Sequence, residues 1–135
     1  MARLTLKEYE EAERCFLQAV ELNPAVKFYY NNLAVACMNQ RKYLRAYGYL
    51  KIALSLDPSY VKALSNMAVT CFHLYRFREA YGFYQRAQKT DPAYSSTRFE
   101  INRVIRRVEE LQKEDPNNRD IQRILLLLKE KQGRD

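Results

Sequence analysis

The chain has 135 residues, of which 47% are hydrophobic and 29% are charged, and its formal net charge is +7. It contains only three glycines and four prolines, which favours an ordered helical chain over a disordered one. No apolar run approaches the ~20 residues that a membrane span needs, and the charged segment 1–15 lacks the apolar core of a signal peptide. The sequence therefore predicts a single domain, 1–135, in the cytoplasm or the nucleus.

Apolar residues at helical spacing predict a succession of helices joined by short turns. Asn23, Asp57 and Asp91 each precede a proline and suit the end of a helix, because the residue before proline is biased out of the α region. One later helix begins at a serine cap, Ser95 and Ser96, and ends near residue 114. The other predicted helices cover residues 7–22, 26–40, 43–56, 60–74, 77–90 and 118–131.

Three prolines, Pro24, Pro58 and Pro92, recur at a spacing of 34 residues. Alanine lies twelve and five residues before each of them, and a bulky residue lies eight residues before. A fixed period of roughly 20 to 50 residues is typical of stacked-repeat proteins, whose units bury their apolar faces only against one another. The period therefore predicts a repeat architecture with an extended binding surface.

This register of aromatic, alanine and proline positions resembles the tetratricopeptide repeat, a helix-turn-helix unit. The resemblance implies an all-α fold in which the repeats stack into a right-handed solenoid closed by a C-terminal pair of capping helices. Cys37 and Cys71 depart from the family pattern, since they replace a common tyrosine. The predicted division is a half repeat at 7–26, two full repeats at 27–60 and 61–94, and the capping helices at 95–135.

By the same resemblance, the first helix of each pair lines a concave groove with an apolar floor and with amide and basic groups beside it. Such a surface can hold an extended peptide or a helix of a protein partner. The predicted peptide-binding groove consists of Asn31, Asn32, Val35, Met38, Asn39, Lys62, Asn66, Val69, Phe72, His73 and Arg103. The same stripe includes Phe28 and Ser65 and continues along the capping helix through Ser96, Phe99, Glu100 and Arg107.

Asn32 and Asn66 are equivalent residues one repeat apart, and an Asn side chain can bind successive peptide amides. Their setting is similar to the asparagine ladder of O-linked N-acetylglucosamine transferase, which implies a ladder role for both; ordinary surface asparagines are the alternative. Asn32 and Lys62 also match two members of the carboxylate clamp that binds the EEVD tail of heat-shock chaperones. Asn66, however, stands where that clamp carries arginine.

Residues 24–97 contain ten Lys and Arg but only three acidic residues. A cluster at the turns between paired helices predicts a basic edge that could meet an acidic protein, a nucleic-acid backbone or an anionic membrane. A solvated rim is the alternative, and a nucleic-acid partner is disfavoured because no DNA- or RNA-reading motif accompanies the charge. The predicted basic edge consists of Arg41, Lys42, Arg45, Arg76 and Arg78.

The chemistry-bearing residues do not form a catalytic or metal-binding motif. Cys15, Cys37 and Cys71 are an odd number without CxxC spacing, which disfavours a disulfide framework and a zinc site. His73, the only histidine, lacks a motif partner for work as a general base. We therefore expect no catalysis, no metal and no other cofactor.

Gly48 and Gly82 form another in-register pair. Because glycine within a helix costs about 1 kcal/mol relative to alanine, the pair suggests that something approaches the backbone there; inheritance with the repeat is the alternative. The half repeat gives Tyr9, Ala12 and Phe16 less cover than their equivalents. This predicts self-association, or cover by an upstream segment of a longer parent chain.

These features together predict a non-catalytic adaptor or scaffold that binds a protein or peptide partner in its groove. A chaperone of a secretion or assembly system, or an EEVD-type co-chaperone, is the first alternative. A binder of nucleic acid or of an anionic surface through the basic edge is the second.

Overall fold

A computed structural model of the chain describes residues 5–93 and 95–131, and all regular structure within these ranges is α-helical. The predicted boundaries of the helices at 7–22, 26–40, 43–56, 60–74, 77–90 and 118–131 differ from the observed ones by at most one residue. The all-α prediction is thereby confirmed. The helices are α1 (Leu6–Leu22), α2 (Lys27–Asn39), α3 (Tyr43–Leu56), α4 (Val61–His73), α5 (Phe77–Thr90), α6 (Ser95–Glu114) and α7 (Arg119–Lys131).

Helices α1, α3 and α5 end in the same way, just before the periodic prolines. In α3, the backbone N–H of Asp57 donates to the Ala53 carbonyl at 3.0 Å, and the Asp57 side chain accepts from the N–H of Ser59 at 3.0 Å. This is an Asx turn, in which the carboxylate replaces a backbone acceptor and leads the chain out of the helix. Asn23 and Asp91 make the equivalent pairs of bonds one period away on either side.

Helices α2 and α4 end differently, through a residue in the left-handed region. Arg41 and Tyr75, one period apart, both have φ of 61°. The residue after each closes the turn, because the N–H of Lys42 donates to the Cys37 carbonyl and that of Arg76 to the Cys71 carbonyl, both at 2.8 Å. Glycine is the usual residue at this position. Each turn leads directly into the next helix, and the two turns carry Arg41, Lys42 and Arg76 of the predicted basic edge.

The helices pack against one another in the order in which they occur along the chain, and the core lies between them. Each helix packs on the next one, α2 also packs on α4, and the pair α6 and α7 packs on α4 and α5. Small residues lie where helices approach closely, and alanines at 34, 46, 53 and 63 are fully buried. Among the described helices, none combines the length and the hydropathy that crossing a membrane requires.

The buried cysteines act as small apolar residues in this core. Burial raises the pKa of Cys37 to about 11 and that of Cys71 to about 12, with nearby Glu13 and Glu79 as lesser causes. Both thiols therefore stay protonated at neutral pH. Cys15 is free and exposed.

Candidate functional site

Helices α2, α4 and α6 lie side by side and present most of the residues predicted to form the groove. Neither α2 nor α4 contains an Asp or a Glu. Of the predicted groove residues, Asn31 and Phe72 are buried. Val35, Met38, Asn66 and Val69 are half-buried. Asn32, Asn39, Lys62, His73 and Arg103 are exposed.

The two asparagines of the predicted ladder have different surroundings. Asn32 is exposed, whereas Asn66 is half-buried and its Nδ2 donates to Oδ1 of Asn31 at 3.0 Å. Asn31 is only 5% exposed, so this bond joins α2 to α4 beneath the groove surface. A hydrogen bond of this kind contributes about 1 kcal/mol to stability. Asn31 and Asn66 thus hold the groove together, and a ladder role for Asn32 and Asn66 stays a prediction.

A pocket of about 300 Å³ lies where the end of α4 meets α6. It brings together four residues that the sequence placed in the groove and adds Arg107, which the sequence placed further along the same stripe. Val104 also lines the pocket but was not among the predicted groove residues, because its position in the apolar pattern of the helix indicates a core residue. The pocket is lined by Val69, Phe72, His73, Arg103, Val104 and Arg107. Ser96, Phe99 and Glu100, also predicted on this stripe, lie outside the described side chains.

His73 forms one wall of the pocket and is held by aromatic contacts. Its ring stacks on Tyr43 of α3, with centroids 4.3 Å apart and planes 8° from parallel, and meets Phe72 edge-on at 5.4 Å. Although the residue is exposed at its edge, the ring is partly buried against Tyr43 and Phe72, and this burial lowers the pKa of His73 below its usual value; the charges of Arg107 and Arg41 lower it further. The imidazole is therefore neutral at pH 7, in a positive local field.

Two residues of the predicted basic edge turn toward a buried carboxylate. Glu13 of α1 is 6% exposed, and it pairs with Arg45 at 3.0 Å and with Lys42 at 3.4 Å. The side chain of Gln40 donates to the same carboxylate at 3.0 Å. Burial alone would raise the pKa of Glu13, but the hydrogen bonds from Gln40 and Arg45 and the charge of Lys42 outweigh it, so the pKa is lowered.

Two further residues of the edge also have acidic neighbours. Arg76 lies 3.9 Å from Glu79 and stacks over the ring of Tyr47, 4.6 Å from its centroid. Arg78 pairs with Asp120 of α7 at 3.5 Å. These pairings reduce the positive charge that the edge can offer to a phosphate.

Comparison with known proteins agrees with this architecture. The tetratricopeptide-repeat family model matches residues 1–26. No curated protein matches the chain significantly in sequence. The resemblance to the tetratricopeptide repeat is confirmed by the fold, because solved structures of such domains superpose on most of the chain.

Three of these structures illustrate the likeness. The first TPR domain of human RPAP3 has a TM-score of 0.72 at 23% identity, with 83% of this chain and 86% of that chain covered. The first TPR of Spaghetti (RPAP3), bound to the HSP90 peptide SRMEEVD, has a TM-score of 0.70 at 24% identity, with coverage of 76% and 82%. The Sgt2 TPR domain from Aspergillus fumigatus has a TM-score of 0.70 at 24% identity, with coverage of 79% and 72%. At these identities the likeness is one of fold.

Proposed function

We propose that the chain is a non-catalytic protein-interaction module, an adaptor or scaffold that holds a peptide or helix of a partner in the groove of α2, α4 and α6. The observation that carries this proposal is the pocket between α4 and α6, where an apolar floor adjoins a basic rim. Binding sites for peptides combine such features, because a few apolar anchors supply affinity while polar groups fix the register.

The chaperone-tail alternative has weaker support. Asn32 and Lys62, the two residues that match the carboxylate clamp, are both exposed. The clamp arginine is replaced by Asn66, whose side chain bonds to Asn31 rather than carrying a charge. The HSP90 peptide is bound by the first TPR of Spaghetti, which is similar to this chain in fold but only 24% identical in sequence. We therefore propose groove binding without assigning an EEVD tail as the occupant.

A pull-down followed by mapping of the bound segment tests the proposal, with affinity measured for that segment. The test variant combines Asn32→Ala with Lys62→Ala. The control combines Gln85→Ala with Lys51→Ala, which likewise removes one carboxamide and one ammonium group, from exposed positions on α5 and α3. We expect the groove variant to weaken binding by about fivefold or more, while each exposed substitution changes stability by about 0.5 kcal/mol or less.

Equal affinities for the two double variants would contradict groove binding. The salt dependence of the affinity distinguishes groove binding from the remaining alternative, a binder of nucleic acid or of an anionic surface. Phosphate-driven binding through the basic edge would weaken steeply between about 50 and 200 mM salt. Binding that is anchored by apolar contacts in the groove would change little over the same range of salt.

A further inference from the structure

We propose that the outer face of the chain, which is the exposed side of α1 and α3, pairs with the same face of a second copy. The centre of this outer face is a row on α3 that consists of Leu44, Gly48, Ile52 and Leu56. In the pair, α1 of each copy lies against α3 of the other across a two-fold axis. The contact leaves the groove of α2, α4 and α6 open, so a second copy and a partner in the groove can be bound together.

The row on α3 is an apolar stripe that the described chain leaves uncovered. Leu44, Ile52 and Leu56 are 69%, 40% and 42% exposed. Residues four apart form one of the ridges along which helices pack. This ridge lies on the side of α3 opposite the buried Ala46 and Leu50. Single exposed apolar residues are ordinary, but a row of them on one helix marks a contact surface.

The apolar row is specific to α3 and is not a feature of the repeat. The equivalent residues one period earlier, in α1, are Glu10, Arg14, Gln18 and Leu22. Those one period later, in α5, are Arg78, Gly82, Arg86 and Thr90. The repeat therefore accepts polar residues at these positions, and the leucines and isoleucine of α3 are not needed for packing within the chain. Such residues are expected where another molecule binds.

Gly48 makes a notch in the middle of the row. No described atom beyond the local helix lies within 4 Å of where its Cβ would sit. Leu44 and Ile52 stand about 6 Å away along the helix axis on either side. Without a Cβ, Gly48 lets a bulky side chain of another molecule approach the backbone closely. Helix α1 of a second copy offers two such side chains, Leu6 and Leu17, which are 59% and 38% exposed.

The charges of the two helices select α1 as the occupant. Helix α1 contains five Glu and two basic residues, and four of these Glu are exposed, whereas Glu13 is buried. Helix α3 contains two basic residues and no Asp or Glu. A second copy that placed its α3 on this row would bring like charges together, whereas its α1 brings opposite charges. Because α1 then lies on α3 and α3 on α1, a two-fold axis repeats the contact and closes the pair.

The size of the outer face sets the strength of the pair. Helices α1 and α3 have 17 and 14 residues. They are therefore about 25 and 21 Å long and each about 10 Å wide, which gives a face of roughly 400 to 500 Å² per copy. The total of about 1,000 Å² is at the lower limit for a specific interface. We expect a weak dimer with a dissociation constant of about 10 to 100 µM.

Sedimentation equilibrium of the full chain tests the proposal over a range of about 5 to 500 µM, which brackets the expected dissociation constant. Leu44→Glu alters the row on α3, and Glu10→Lys reverses a charge on the exposed side of α1. The matched controls are Leu126→Glu and Glu130→Lys on α7, because Leu126 is 66% exposed and Glu130 is also exposed. Thermal unfolding of each variant checks that its fold is intact.

We expect the unmodified chain to form dimers. Leu44→Glu should weaken them by about tenfold or more, because it places a carboxylate against the acidic α1 in both contacts. Glu10→Lys should weaken them by about fivefold or more, while each control changes the affinity by less than about twofold. An equimolar mixture of Leu44→Glu and Glu10→Lys should associate to within about threefold of the unmodified chain. In the mixed pair one contact is unaltered, and the other joins opposite charges.

A chain that stays monomeric up to about 500 µM would overturn the proposal. So would equal losses for Leu44→Glu and Leu126→Glu. Failure of the mixture to associate would contradict the pairing of α1 with α3, because a contact between two α3 helices gains nothing from mixing. Species that grow beyond the dimer with concentration would contradict the two-fold arrangement.

Discussion

Helix α1 and helix α3 occupy the same register one period apart, yet they are covered to different degrees. Ala46 and Leu50 of α3 are fully buried, whereas their equivalents Ala12 and Phe16 in α1 are half-buried. The predicted difference in cover is confirmed for these residues. In a stacked fold the same apolar pattern is therefore buried only as far as its neighbours allow. That α1 is covered by a second copy or by an upstream segment of a longer parent chain stays a prediction.

The two helices also join the next layer by different chemistry. Glu13 of α1 is surrounded by Lys42, Arg45 and Gln40. Its equivalent in α3 is Tyr47, whose ring lies against Arg76 and whose hydroxyl bonds to Glu79 at 3.2 Å. One position of the repeat thus builds an ionic contact in the first case and an aromatic one in the second. The first should respond to pH and salt, and the second far less.

The largest expected effect on stability comes from the difference in burial between α3 and α1. Leu50→Ala should lower the free energy of unfolding by about 3 to 4 kcal/mol, because it opens a cavity in a fully buried site. Phe16→Ala should cost only about 1 to 2 kcal/mol, since its ring is only partly buried. Denaturant unfolding measures both losses. Leu44→Ala, at an exposed site of α3, is the control, with an expected change under about 0.5 kcal/mol.

Equal losses for Leu50→Ala and Phe16→Ala would show that α1 is as well covered as α3. A loss for Phe16→Ala that grows with protein concentration would instead support cover by a second copy.

The ionic contact comes next in size. Glu13→Gln should cost about 1 to 2 kcal/mol, because the neutral amide leaves Lys42 and Arg45 without their buried counter-charge. Tyr47→Phe should cost only about 0.5 kcal/mol, since the ring contact with Arg76 survives. Glu11→Gln, exposed on the same helix, is the control. A loss for Glu13→Gln that does not shrink in 0.5 M salt would argue against an electrostatic origin.

The pH dependence of stability distinguishes the contribution of His73 in the groove from that of Glu13 in the ionic contact, because the two groups titrate in different pH ranges. The pKa of His73 is lowered in the folded chain, so its contribution is complete above about pH 6.5 and is lost as the pH falls below that value. The pKa of Glu13 is also lowered, so its contribution is complete above about pH 4.5 and is lost under stronger acid. His73→Gln should flatten the first step, and Glu13→Gln should reduce the second. A first step that survives in His73→Gln would contradict the assignment.

The sequence predicted the helices well because each depends on local information. The prolines, the residues before them and the apolar spacing fix the ends of α1, α3 and α5. The register also placed Val69, Phe72, His73 and Arg103 on one stripe, and the structure brings them together in one pocket. Helical spacing is sufficient for Val69, Phe72 and His73, because residues three and four positions apart lie on the same face of a helix.

The remaining features depend on contacts that the period does not encode. Glu13 meets residues 27 to 32 positions away, and its equivalent one period later is a tyrosine, so no repeated pattern marks it. Asn66 differs from Asn32 because Asn31 lies within reach of it. The left-handed turns at Arg41 and Tyr75 lack the glycine that usually signals them. In each case a specific side chain, rather than the repeat, decides the local structure.

The last expected effect is a gain in stability rather than a loss; it concerns the helical glycines, and it again sets α1 against α3. Arg14 of α1 stands at the position that Gly48 takes in α3 and Gly82 takes in α5, so this register accepts a side chain. No described atom beyond the local helix lies within 4 Å of where a Cβ would sit at either glycine, so the suggested close approach does not come from the described chain. Gly48→Ala and Gly82→Ala should each stabilise the fold by about 1 kcal/mol.

Denaturant unfolding of the two single variants and their double variant tests this expectation, with the gains expected to add to about 2 kcal/mol. A loss of stability in either variant would mean that the backbone there is crowded after all. The same proteins test whether a partner approaches the glycines. A variant that gains stability but loses affinity for the mapped segment would place a second contact on α3 and α5, away from the groove, because a methyl group can obstruct only what lies against it.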